Sequence, residues 1–227
     1  MGRDEFEGML RSIERSYWDK HPFHQRMDAG ELDPGDLRTW VANRWYYQQS
    51  LPQKDAAIIA NCPFPEIRRR WLPRITYHDG MTDNDGGCAR WLALANAVGL
   101  SRDEILDERH VLPGVRFAVD SYVAFARTRS WVEGIASSLT EMFAPQAMAT
   151  RTAALRRHYS WIHHEAFGYF DARILRAREE CADALDIVLT HCRSRDSQDA
   201  AVRALEFKTD VLWSMLDTIE HSRLALR

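Results

Sequence analysis

Polar side chains able to hold an anion or move a proton recur in this sequence at positions that helical spacing assigns to apolar faces. Lys208 lies three residues after Leu205 and four before Leu212, on a stripe continued by Met215, Leu216 and Ile219. A buried ammonium is unfavourable unless something anionic receives it. For this residue alone, a lysine at the stripe's edge with its head in water is the plainer reading. The pattern repeats, however. Arg44 and Gln48 share a face with Leu37, Val41 and Leu51, Arg74 and His78 stand beside Trp71 and Ile75, and Tyr169 and Arg173 are flanked by Ala166 and Ala177. Members of each pair are four residues apart, so each presents two hydrogen-bonding groups on one helical face. Singly, such pairs are ordinary surface or ion pairs. Turned inward together, they line a pocket rich in Arg, Lys, His, Tyr and Gln, which suits a small polar anion because guanidinium forks match carboxylates. His78, in Tyr77-His78-Asp79-Gly80, is either a partner for a helix C-terminus or a proton donor and acceptor near neutral pH.

Other chemistries are poorly supported. His158, His163, His164 and Glu165 cluster in sequence, but adjacent histidines point to different faces and the i, i+4 pair of a helical metal site is missing, so no metal is expected. Cys62, Cys88, Cys181 and Cys192 form no CxxC pair. On one helix, Cys181 and Cys192 would stand roughly 16 Å apart, too far to bridge. Reduced thiols suit a cytoplasmic protein. The formal net charge is −3, and no aromatic cluster is interleaved with basic residues, which argues against nucleic acid as a partner. Residues 1–16 are charged rather than apolar, Phe6 stands where a myristoylation signal wants Ser or Thr, and no stretch approaches a membrane span.

The elements that must position the polar faces are helices. No alternation of strand type is sustained, and helix starts are marked by Asp33-Pro34, by Ser101 with Glu104 and by Ser130 with Glu133. Helices are expected near 3–19, 34–61, 65–79, 86–98, 113–128, 131–142, 145–157, 161–192 and 197–221, with Pro52 kinking or breaking the second and Ser160 capping the eighth. Gly80 to Gly87, rich in Asp, Asn and Gly, reads as a loop. With 45% hydrophobic residues, the chain is expected to form one all-α bundle over residues 1–227.

Several words of the sequence resemble the pyrroloquinoline-quinone synthase family. They are Trp40-Val41-Ala42-Asn43-Arg44, Tyr46-Tyr47-Gln48, Lys54-Asp55-Ala56-Ala57-Ile58, His78-Asp79-Gly80, the run from Val111 to Asp120, Ser137-Ser138-Leu139-Thr140-Glu141, Phe207-Lys208 and the run from Val211 to Asp217. The resemblance covers nearly the whole chain. It implies a heme-oxygenase-like bundle, a homodimer, and ring closure with O2-dependent oxidation of a polycarboxylated, amino-acid-derived precursor, without cofactor and with release of H2O2. It further implies that Arg44, Tyr47, Gln48, Lys54, Arg74, Tyr122, Thr140, Arg151 and Lys208 hold the substrate, with His78, Tyr169 and Arg173 as catalytic residues. Di-iron relatives of similar shape place ligands along corresponding helices, but here Arg173 and Arg176 occupy such positions, and arginine is not a metal ligand. Two departures stand out: Trp18 and Met148 replace histidines that in the family face the reacting centre, and neither can transfer a proton. His21 or His24 is a candidate substitute. The chain also ends at Arg227, short of the usual family tail. A working synthase is the favoured reading, beside a paralogue acting on a related substrate and a non-catalytic quinone-binding protein.

Overall fold

Helix boundaries follow the capping chemistry written in the sequence. In the computed structural model, which describes residues 1–225 apart from the side chains at 175, 178, 179, 224 and 225, no strand occurs among the described residues. Arg227 lies outside them. Helix α1 spans Arg3–Ser12, α2 Pro22–Ala29 and α3 Pro34–Asn61. The Asp33 carboxylate accepts the Asp36 N–H, the Asp36 carboxylate accepts the Asp33 N–H, and Pro34 opens α3. Helices α4 (Pro65–Trp71), α5 (Pro73–Asp79), α6 (Gly86–Ala97), α7 (Arg102–Leu106), α8 (Pro113–Thr128) and α9 (Trp131–Ser137) follow. Ser101 and Ser130 form the expected capping boxes of α7 and α9 with Glu104 and Glu133. Helices α10 (Ala144–His158), α11 (Gly168–His191) and α12 (Arg195–Ala225) complete the bundle.

Several boundaries differ from expectation. Pro52 neither breaks nor ends α3, which runs through it. A helical proline deprives the carbonyl four residues earlier of its N–H. Here that carbonyl belongs to Gln48, and the Cys88 thiol lies 3.9 Å from it. Packing of α3 against α5, α6 and α8 holds the helix on either side of the proline. The expected helix 65–79 is two, because Pro73 starts a new one. The first helix stops at Ser12, and two 3-10 turns, Ile13–Ser16 and Trp18–Lys20, separated by extended Tyr17, carry Trp18 into the interior. Pro22 then opens α2, a helix absent from the expected map, with the His21 ring accepting the Phe23 N–H. Ser160 caps nothing; a 3-10 turn at His164–Phe167 precedes α11. A further 3-10 turn, Ser138–Met142, follows α9.

The core joins α3, α8, α9, α11 and α12, with α5 and α6 against α3, and α10 against α11 and α2. All four cysteines are free. The loop after α5 is drawn tight beneath His78. Gly80 and Gly86 both have positive φ, and a Cβ on Gly86 would lie 2.5 Å from the Gly80 nitrogen, so only glycine fits without strain.

Candidate active site

The long helix α3 supplies one wall of a cavity through Arg44, Tyr47, Leu51 and Lys54, spaced by three and four residues along one face. His78 from α5, Tyr122 from α8, Thr140 and Glu141 from the turn after α9, and Met148 from α10 join it. Tyr169 and Arg173 from α11, Lys208 from α12 and Trp18 from the N-terminal turns close it. Of the residues singled out in the sequence, Arg44, Tyr47, Lys54, His78, Tyr122, Thr140, Tyr169, Arg173 and Lys208 line this one cavity. Gln48, Arg74 and Arg151 are buried just outside its wall. Free space amounts to about 50 Å³. Small-molecule sites commonly hold ~300–1,000 Å³, so side chains must move outward before a ligand of that kind can enter.

Three buried polar arrangements surround the cavity. In the first, Tyr169 donates through its hydroxyl to Gln48 Oε1 at 2.9 Å, and Gln48 Nε2 meets His78 Nδ1 at 3.0 Å. With the amide oxygen accepting from tyrosine, the amide nitrogen donates to Nδ1. That assigns the imidazole proton to Nε2. Burial, then the nearby cations Arg173, Lys54, Arg74 and Arg44, depress His78 well below the ordinary histidine value, so the ring is neutral.

The second is an interlocked set of ion pairs. Arg74 donates to Glu141 at 2.8 Å and to the Glu180 carbonyl at 2.8 Å, and stacks on Trp71 at 3.8 Å. Arg173 donates to Glu141 at 2.6 Å and to the Glu180 carboxylate. Burial alone would raise the Glu141 carboxyl, but Arg74, Arg173 and Lys54 hold it below its ordinary value. Nearby, Lys54 pairs with Asp55 at 2.5 Å and Ser138 Oγ at 3.0 Å, while Trp71 Nε1 donates to Asp55 at 2.8 Å.

The third consists of basic side chains that lack such partners among the described residues. The Arg44 guanidinium lies 4.3 Å from the Trp18 ring and 4.7 Å from that of Tyr47, and its Nε and Nη1 have no hydrogen-bond acceptor. Arg151, 2% exposed, likewise leaves Nε and Nη2 without acceptors. Among the described residues Lys208 Nζ bonds only to the Tyr47 hydroxyl, at 2.8 Å, and sits 3.6 Å over the Tyr122 ring. Buried donors without acceptors are rare in proteins, and here Arg44 of α3 and Arg151 of α10 both carry them. Four cationic side chains line the cavity against the two carboxylates Asp55 and Glu141, both already paired. An incoming anion with several carboxylates would satisfy the orphaned guanidinium donors.

Trp18 and Met148 both reach the cavity wall. Neither candidate histidine does. His24 turns Nδ1 to the Trp18 carbonyl at 2.9 Å and lies edge-on to its indole, and His21 is held between Asp217 and the start of α2. Sequence reasoning assigned no role to Glu141, Glu180 and Asp55. The signal for Asp55 was its place beside Lys54, and Glu180 follows Arg173 by seven residues, on the same helix face.

The TENA/THI-4/PQQC family model matches residues 8–218. A protein of Pseudomonas aeruginosa named pyrroloquinoline-quinone synthase is 51% identical over 219 residues, covering 96% of this chain and 88% of its own. One of the same name from Cronobacter sakazakii is 49% identical, covering 95% and 86%. Among solved structures, a domain with a heme-oxygenase-like fold from Shewanella denitrificans superposes with a TM-score of 0.83 at 12% identity, over 100% of this chain and 95% of that one. A TenA homologue from P. horikoshii gives 0.75 at 12% identity, over 95% and 96%. These neighbours establish the heme-oxygenase-like fold alone. With a family model spanning most of the chain and relatives identical at half its positions, the chain belongs to the TENA/THI-4/PQQC family.

Proposed function

We propose that this chain is a pyrroloquinoline-quinone synthase, an oxidase that closes a ring in a polycarboxylated, amino-acid-derived precursor and oxidises it with O2, releasing H2O2. The observation that carries the reading is the buried Arg44 guanidinium, its Nε and Nη1 without acceptors, in the wall of a cation-lined cavity, with Arg151 similarly short of acceptors just outside it, in a chain half identical to proteins of that name. Arg44, Arg151, Lys54 and Lys208 hold the carboxylates and carbonyls, with hydroxyls from Tyr47, Tyr122 and Thr140. Gln48 orients His78, and Arg74 fixes Glu141. His78, with its proton on Nε2, donates to an oxygen that gains charge. Fixed cations around a dry cavity stabilise the enolate and quinol anions that deliver electrons to O2. Arg173 and Tyr169 close over the bound precursor. The substrate itself supplies the reducing electrons, so the reading calls for no cofactor and no metal. Homodimeric assembly, cytoplasmic location and a single domain over residues 1–227 belong to the same proposal. No helix among the described residues is long and apolar enough to cross a membrane.

A second reading has a specific observation in its favour: Trp18 and Met148 occupy the cavity wall without proton-transfer capacity. It makes the chain a paralogue that oxidises a related precursor. The test is to mix metal-stripped protein with the pyrroloquinoline-quinone precursor in air and follow oxygen uptake together with quinone absorbance. Quinone formed as oxygen is consumed supports the synthase. Binding without oxygen uptake overturns it in favour of the paralogue or of a non-catalytic quinone-binding protein.

A further inference from the structure

Lys208 and Lys54 are both enclosed by the same cavity, yet their surroundings differ in kind. Lys54 pairs with Asp55 at 2.5 Å, and Asp55 holds it above the ordinary lysine value in spite of burial. Lys208, 1% exposed, has no carboxylate partner among the described residues and bonds to the Tyr47 hydroxyl alone. The charged and titratable groups facing it are Arg44, Tyr47, Lys54 and Asp55 from α3, Tyr122 from α8 and Glu141 from the turn after α9. Asp55 is taken by Lys54 and Trp71, and Glu141 by Arg74 and Arg173. Burial first, then Lys54 and Arg44, depress Lys208 well below its ordinary value, outweighing Glu141 and Asp55.

Other groups on the wall are poorly suited to accept a proton. Trp18 and Met148 cannot do so. The lone pair of His78 Nδ1 is engaged by Gln48, and its Nε2 carries a proton. Both carboxylates are held in ion pairs.

We propose that Lys208, supported by Tyr47, is the proton acceptor of ring closure in this chain rather than only a cationic holder of a substrate carboxylate; the inference rests on the synthase reading. Ring closure joins a substrate nitrogen to an unsaturated carbon. The nitrogen lone pair forms the C–N bond, the carbon's π pair moves onto the conjugated oxygen, and the N–H proton passes to Lys208 Nζ. The amine becomes an ammonium beside the negative charge just developed, where His78 Nε2–H donates to the oxygen. The later oxidation draws on O2 and is a separate step.

The test measures quinone formation in air by wild type, Lys208→Ala and Lys208→Arg, across pH and with added methylamine or ethylamine. Wild-type rate falls at low pH as the amine is protonated. Lys208→Ala loses ~10²–10⁴-fold in kcat, the usual scale of acid–base catalysis. Small amines restore part of it. Lys208→Arg carries a permanent charge and binds the product quinone, yet stays slow, because arginine is always protonated and has no lone pair to accept a proton. Wild-type kcat in Lys208→Arg, or no amine rescue of a folded Lys208→Ala, overturns the proposal while leaving the synthase intact. Should the alanine variant fail to fold, Lys208→Arg alone decides. Wild type that forms no quinone overturns the function, and this inference with it.

Discussion

Gln48 is the joint between two groups assigned to catalysis, and its replacement separates stability from chemistry. Its amide accepts the Tyr169 hydroxyl and meets His78 Nδ1, all three residues being enclosed. Gln48→Leu keeps the volume but leaves a phenol and an imidazole nitrogen without partners. Each orphaned buried group costs ~1–3 kcal/mol, so the variant loses ~2–6 kcal/mol. For a chain of this size, ~1 kcal/mol shifts Tm by ~2–4 °C, which sets the expected drop at ~4 °C or more. Gln48→Glu behaves differently. Its carboxylate still accepts from Tyr169, but it only accepts, so pairing with His78 requires a proton on Nδ1. The variant retains most of the stability, raises the His78 pKa through the added negative charge, and reverses which ring nitrogen carries the proton in the neutral form. Melting curves and single-turnover quinone formation on the three proteins read both effects. Wild-type turnover in Gln48→Glu would refute the role of His78 as an Nε2–H donor. An unchanged Tm in Gln48→Leu would refute the hydrogen-bonded chain itself.

Arg151→Met removes a buried guanidinium whose Nε and Nη2 lack acceptors, so it raises the Tm of the unliganded protein while weakening binding of pyrroloquinoline quinone in titration calorimetry; a lower Tm would mean that the guanidinium is already satisfied. Arg173→Ser stalls the reaction at an intermediate visible by stopped-flow absorbance, and undiminished quinone formation would remove Arg173 from the mechanism. His24 and His78 are both depressed well below the ordinary histidine value, burial being the first cause for each. The folded chain therefore leaves them neutral while the unfolded chain takes up protons, so stability is full above about pH 6.5 and falls as pH drops below it, by up to ~1.4 kcal/mol per pH unit for each ring. Urea melts from pH 7.5 to 5 check this, with His24→Leu reducing the slope and an unaltered slope counting against it.

The faces of single helices were legible from spacing, because residues three and four apart must lie together whatever surrounds them. That is why Arg44, His78, Tyr169, Arg173 and Lys208 stand out on apolar faces, while Lys54 rests on the family resemblance; that all six line one cavity is shown by the structure. Local chemistry was legible too, in the N-cap at Asp33 and the capping boxes at Ser101 and Ser130. What spacing does not encode is the partner across the bundle. Pro52 reads as a kink or a break because its own segment shows only the lost N–H; the Cys88 thiol beside the freed carbonyl comes from a different helix. The 3-10 turns that bring Trp18 inward are likewise set by what the N-terminal segment packs upon, not by its own periodicity.

The same limit decides which cations are free to bind a substrate. Arg74 and Arg44 look alike in sequence, each four residues before a polar partner on an apolar face. Tertiary contacts then separate them. Arg74 meets Glu141, 67 residues on, and the Glu180 carbonyl, 106 residues on, so its donors are used in holding α5 to α11. Among the described residues Arg44 meets aromatic faces, which attract its charge but accept no directed hydrogen bond from Nε or Nη1. Arg173 stands between these cases. It lines the cavity, but its guanidinium is held by Glu141 and Glu180, so a substrate carboxylate must compete with two existing ion pairs to recruit it. Arg44 and Arg151 face no such competition. On the synthase proposal, a polyanion entering the cavity gains its first contact from Arg44, which lines it, and Arg173 follows only when the added negative charge offsets the release of Glu141 and Glu180. On this ordering, closure of Arg173 over the substrate in the proposed reaction is a consequence of binding and not a condition for it.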